Sequence, residues 1–194
     1  IRNCEPCLLS GKNLKKTTAP LQVRPFPQAP WDTIQLDICR EISVAPQHQR
    51  YLLVAYDLYS KWPEVATAVI ITSKVVITTL EGWFSRWGLP LEIITDNGPQ
   101  FVSKEFEDFL QLKGIRHILT PRYHPQANGS VERLNQTLKN GLKVHLHEGH
   151  LFSKALTTVL QHYRSAPHSA TGETPAKLMI GRSLRMPLTR LWPP

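Results

Sequence analysis

The feature that most constrains the fold is a change of hydrophobic period along the chain. Between residues 31 and 69 apolar side chains recur every second position or run continuously, whereas from residue 73 they recur at helical spacing. Ile34, Leu36 and Ile38 alternate with Gln35, Asp37 and Cys39, as in a strand with one buried face, and this turns Asp37 away from the apolar set. Tyr51 to Leu58 is a nearly continuous apolar run, as a central strand requires, and Glu64 to Val69 fits as its hairpin partner.

The later segments read as helices separated by short strands. Val75, Val76, Leu80, Trp83, Phe84 and Trp87 share one helical face, Ser73 is placed to cap the start, and Gly88-Leu89-Pro90 is a stop. Leu91 to Thr95 reads as a short buried strand, Ser103 to Lys113 as a helix ended by Gly114, and Ile115 to Leu119 as another strand. After a loop rich in Pro, His and Asn, a helix is predicted from about Gly129 to Glu148, with Val131, Leu134, Leu138, Leu142 and Leu146 on one side. Leu151 to Arg164 is a further helix, and Thr174 to Ile180 is at most a short one. The order β β β α β α β, strands first and alternation later, points to a mixed α/β sheet.

The termini differ from this centre. Residues 1–30 hold Cys4-Glu5-Pro6-Cys7 and then three prolines between Arg24 and Pro30, which enforce extended backbone and read as tail and linker. The chain starts at Ile1 with no apolar leader, so it reads as an internal piece of a longer chain. No stretch approaches the roughly 20 apolar residues of a membrane helix, which excludes a span. Three cysteines make no even disulfide framework, and a reducing compartment is expected.

Charge is distributed unevenly. Residues 1–30 carry +4 (5 basic, 1 acidic), residues 31–128 carry −2 (9 and 11), and residues 129–194 carry +6 (9 and 3). Basic flanks around an acidic centre suit an enzyme that grips a polyanion at its edges and keeps carboxylates for metal ions, although a solvated basic surface accounts for the charge equally well.

With five Asp and ten Glu in the chain, the placement of each acid matters. Asp37 lies on the first strand, Asp96 directly after the strand Leu91 to Thr95, where open α/β sheets place ligands, and Glu132 at the start of the long helix. Glu132, Asn135, Gln136, Lys139 and Lys143 are expected to form one polar stripe opposite the leucines. Carboxylates converging from different elements, with cations beside them, are what a divalent-metal nuclease or transferase needs. Each acid also has a plainer reading: Asp96-Asn97-Gly98-Pro99 is a good turn, and Glu132 suits a helix dipole.

Two longer phrases separate these readings. Ile94-Thr95-Asp96-Asn97-Gly98-Pro99-Gln100-Phe101 and Tyr123-His124-Pro125-Gln126-Ala127-Asn128-Gly129-Ser130-Val131-Glu132-Arg133-Leu134-Asn135 closely resemble the retroviral-type integrase core, specifically that of gypsy-class LTR retrotransposons and their cellular relatives. Trp31, six residues before Asp37, and Tyr163 to Ala176 extend the resemblance to roughly residues 4–182. It implies a ribonuclease-H-like fold, a mixed five-stranded sheet flanked by helices, with Asp37, Asp96 and Glu132 as the acidic triad holding two Mg²⁺ or Mn²⁺ ions. In that scheme Asn97, Gln100, Asn128, Gln136, Lys139 and Lys143 contact DNA. The implied organisation is a remnant of a zinc module with linker (1–30), the catalytic core with its following helices (31–182) and a basic tail (183–194).

Cys4 and Cys7 resemble the second half of a His-His-Cys-Cys zinc module, so Zn²⁺ is expected only in a longer chain carrying the upstream His pair. His145, His147 and His150 are better explained by a polar surface helix. Ile38-Cys39-Arg40 departs from the aromatic and Gly-Pro usual after the first Asp of the family. The implied activity is DNA 3′-end processing and joining in the nucleus, with element-end and target DNA and further copies of the chain as partners and no membrane. A catalytically silent nucleic-acid-binding module and a ribonuclease-H-type nuclease are the alternatives.

Overall fold

Alternation along the first strand, β1 (Thr33–Cys39), layers the molecule: Ile34 and Leu36 enter one apolar cluster and Cys39 another, so this strand is covered on both faces. The computed structural model describes residues 25–39, 42, 45–46, 49–121 and 129–187. Cys4, Cys7, His124 and Asn128 lie outside them.

β1 is followed by β2 (Tyr51–Asp57), β3 (Pro63–Ala68), α1 (Ser73–Trp87), β4 (Glu92–Thr95), α2 (Lys104–Leu112), β5 (Arg116–Leu119), α3 (Gly129–His147), α4 (Phe152–Ser165) and α5 (Pro175–Ile180). The strands form one mixed sheet in the order β3-β2-β1-β4-β5. β2 is antiparallel to β1 and to β3, whereas β4 is parallel to β1 and to β5. The expected five-stranded sheet flanked by helices is therefore the observed fold.

One face packs Ile34, Leu36, Leu53 and Ala55 against Val76, Leu80 and Trp83 of α1 and Phe106 and Leu110 of α2. The other packs Leu52, Val54 and Tyr56 against Val131, Leu134, Leu138 and Leu142 of α3 and Phe152, Ala155 and Val159 of α4. No helix among the described residues is long and apolar enough to cross a membrane.

One boundary differs from expectation, and another carries a costly backbone conformation. The cap of α1 is Thr72, whose hydroxyl accepts from the Val75 N–H at 3.3 Å, so Ser73 is already helical. At the entry to β1, buried Trp31 adopts φ 69°, a region costly for a bulky residue. It is held there by its N–H donating to Asp57 at 3.1 Å and its indole N–H donating to the Gly88 carbonyl at 3.0 Å.

Candidate active site

Strand register sets the first two carboxylates. β1 and β4 run parallel with Thr33 opposite Glu92, Ile34 opposite Ile93 and Gln35 opposite Ile94. Carrying that register two residues further brings Asp37 and Asp96 level at the carboxyl ends of adjacent strands, which lie about 4.8 Å apart. Because Ile34 and Ile93 both enter the cluster under α1 and α2, the alternation turns Asp37 and Asp96 to the α3 side.

The third carboxylate arrives on α3. Glu132 sits in the exposed first turn, and the apolar residues that seat the helix, Val131, Leu134, Leu138 and Leu142, are buried on the sheet. The three acids are close enough to feel one another: the Asp37 carboxyl is pushed above the ordinary aspartate range first by burial and then by repulsion from Asp96 and Glu132. Hydrogen bonds from the Ile38 N–H at 2.9 Å and the Asn135 amide at 2.7 Å partly offset that rise. Among the described residues no Lys or Arg forms an ion pair with any of the three.

Asp96 is held by the turn that follows it. The Gly98 N–H donates to its carboxylate at 2.9 Å, and a β-carbon at Gly98 would meet that same oxygen at 2.9 Å and run into the Gln100 amide. A side chain at position 98 would therefore displace the Gln100 amide and press on the Asp96 carboxylate. Beneath it, the Thr95 hydroxyl bonds His117 at 2.9 Å, and the Asn97 amide donates to the Thr120 carbonyl at 2.7 Å, tying the end of β4 to β5.

The other expected polar residues divide. Gln100 is buried against Gly98 and Asn97 is committed to Thr120, while Gln136 and Lys143 are exposed, with the Gln136 amide donating to Asn140 at 2.8 Å. Lys139 is half-buried beside β1, where its charge partly offsets the upward push that burial gives the Cys39 thiol. Asn135 is not opposite the leucines: it is buried, with its amide on Asp37 and its carbonyl oxygen without a partner. At about 100° per residue it lies about 60° from Glu132 toward the apolar side, at the four- and three-residue spacings that join it to Val131 and Leu138. Those spacings were the signal for its burial.

A mixed sheet with helices on both faces and carboxylates at the ends of its central, adjacent strands is the ribonuclease-H-like architecture. The Integrase core domain family matches residues 27–125, and the chain belongs to that family. Over all 194 residues it is 37% identical to an uncharacterized protein of Caenorhabditis elegans, covering 15% of that protein. Over 187 residues it is 30% identical to the Gag-Pol polyprotein of walleye dermal sarcoma virus and 29% identical to the Transposon Tf2-3 polyprotein of Schizosaccharomyces pombe, covering 94% and 92% of this chain. It spans only 10% and 14% of those two polyproteins.

Two solved structures are similar. The HTLV-2 integrase catalytic core domain in complex with magnesium superposes with a TM-score of 0.66 and 26% identity, over 78% of this chain and 98% of that one. The simian T-cell lymphotropic virus intasome in complex with a PP2A regulatory subunit gives 0.74 and 26%, over 95% and 65%.

Proposed function

We propose that this chain is the catalytic core of a gypsy-class LTR-retrotransposon integrase, which trims a DNA 3′ end by hydrolysis and joins it to target DNA by transesterification in the nucleus. The observation that carries the reading is the placement of Asp37 on β1 and of Asp96 directly after the neighbouring parallel strand β4, with Glu132 on the docked helix near enough for its charge to reach Asp37. Membership of the integrase family and the likeness to an integrase core solved with magnesium support it.

The donor set suits a hard divalent cation: three carboxylates, no neutralising cation among the described residues, and one carboxyl pushed up first by burial and then by its acidic neighbours. Asp37, Asp96 and Glu132 would hold Mg²⁺ or Mn²⁺, and two such ions when bound would supply the positive charge that favours in-line displacement at phosphorus. Asp37 is aimed by the Ile38 N–H and Asn135, and Asp96 by the Gly98 N–H. The three acids act as ligands and none as a nucleophile. Lys139, Gln136 and Lys143 continue the Glu132 stripe along α3 and give the phosphate backbone a track leading away from the acids.

Residues 31–182 form the core with its following helices, and Cys4 and Cys7 belong to a zinc half-site completed by upstream histidines. DNA ends, target DNA and further copies of the chain are the partners of this reading.

A strand-transfer assay tests it, using the protein in its full-length context, labelled element-matched DNA ends and Mg²⁺ or Mn²⁺. Joined products that vanish in Glu132→Gln are the expected result. Salt-sensitive DNA binding without metal-dependent products would assign the chain to a silent binding module.

A further inference from the structure

The end of α3 brings together three side chains that the integrase reading does not use. The helix closes with the Gly149 N–H donating to the Leu146 carbonyl and the His150 N–H donating to the His145 carbonyl, both at 3.1 Å, while Gly149 takes φ 80°. This pair of bonds is a Schellman closure, which sets position 150 directly over position 145 and is commonly sealed by an apolar contact there. Here both positions are histidine, and Glu148 stands between them.

The ligand atoms of His145, Glu148 and His150 all lie within 4.8 Å of one another. His145 Nδ1 is 3.1 Å and His150 Nε2 3.6 Å from the same Glu148 Oε2, and the two rings are 5.7 Å apart by centroid. A hydrogen bond accounts for the first distance, but the second is too long for one. A tetrahedral ion with bonds of about 2.0–2.2 Å separates its ligands by about 3.4 Å, midway between the two.

We propose that His145, Glu148 and His150 form a transition-metal site at the α3–α4 junction, taking a borderline divalent cation of the zinc type. Two imidazoles and one carboxylate suit such an ion, whereas the oxygen-only triad suits magnesium. Glu148 and His150 are exposed, so the ion has an open path and a fourth position for water. The positive charge would sit on the carbonyl end of α3, where it complements the helix dipole. His147 is outside the cluster.

The test titrates metal-free protein, in its full-length context, with Zn²⁺ against a chromophoric chelator, and follows Co²⁺ by visible absorption. Wild type and His147→Ala should bind one equivalent more than His150→Ala and Glu148→Gln, with at least about a tenfold loss of affinity for that equivalent in the latter two. Zn²⁺ should raise the Tm of wild type and not that of His150→Ala. Cobalt at this site should give only weak d–d bands, which distinguishes it from thiolate binding at Cys4 and Cys7 with its intense near-ultraviolet charge transfer. His150→Ala keeps the backbone closure, and an unchanged metal-free Tm establishes that it folds. Wild-type zinc stoichiometry and Tm shift in both ligand variants, or no zinc equivalent beyond the cysteine and triad sites in wild type, would overturn the proposal.

Discussion

Gly141→Ala asks how tightly the helix bearing Glu132 is seated. A β-carbon at Gly141 would lie 2.8 and 3.1 Å from the two γ-methyls of Val159 on α4, against an optimum of about 3.5–4.0 Å for carbon pairs. Val159 is buried and β-branched on a helix, so its methyls cannot rotate clear. Such overpacking costs about 1–3 kcal/mol, while replacing a mid-helix glycine by alanine returns about 1 kcal/mol. The net expectation is a loss of about 1 kcal/mol. Val159→Ala alone should cost about 2 kcal/mol for two buried methyls and the space they leave. In the double variant the clash is gone and the helix gain remains, so the loss should be about 1 kcal/mol, a favourable coupling of about 2 kcal/mol. Urea denaturation of the four proteins measures the cycle. Gly141→Ala should also lower strand transfer, and Val159→Ala in the same chain should restore it. A Gly141→Ala protein more stable than wild type, with coupling below about 0.5 kcal/mol, would refute the close seating of α3 on α4.

Asn135→Ala removes both the bond to Asp37 and the buried carbonyl oxygen that lacks a partner, terms of about 1–3 kcal/mol each that oppose. Stability should therefore stay within about 1 kcal/mol while the Asp37 carboxyl rises further, as carboxyl NMR titration would show, and strand transfer falls. Because folding raises the Asp37 carboxyl, the native state binds its proton more tightly than the unfolded chain. Its contribution to stability grows as pH falls from neutral through the folded value and is complete below the ordinary aspartate range, so the advantage of Asp37→Asn over wild type at neutral pH should shrink on acidification. Denaturant midpoints across that window check the sign. Glu64→Gln should cost about 2 kcal/mol by chemical denaturation: the glutamate accepts from the indoles of Trp62 and Trp87 and pairs with Arg164 at 3.6 Å, whose half-buried guanidinium over Trp62 would keep only its bond to the Pro63 carbonyl.

Much of this arrangement is legible in the residues because one physical rule acts at each step. Alternation at Ile34, Leu36 and Ile38 sent those side chains to the α1 and α2 face and left Asp37 on the other. The glycine stop of α1 and the leucine stripe of α3 followed from spacing in the same way. Residue preference favoured Ser73 over its neighbour Thr72 as the cap of α1, and only the bond to Val75 shows that Thr72 takes that place. Asn135 lay on the border of its helical wheel, where identity says polar and neighbours say buried. What decides is a carboxylate 98 positions away, which no local pattern reports. Gln100 failed to read as buried for a similar reason, since its place depends on the space left by Gly98. The His145–Glu148–His150 meeting depended on a backbone reversal at Gly149, invisible to a wheel drawn as if the helix continued.

The two aspartates and the glutamate are placed by different kinds of coordinate. Asp37 sits on β1 and Asp96 directly after β4, two strands paired in parallel, where displacement comes only in whole residues and a slip of one would turn an aspartate to the opposite face. Glu132 rides on a helix whose position follows side-chain volumes, so it can shift by fractions of an ångström. Substitutions under α3 can thus tune the distance of the third carboxylate smoothly while the first two remain fixed, which gives sequence drift a dial for reactivity that leaves the sheet untouched.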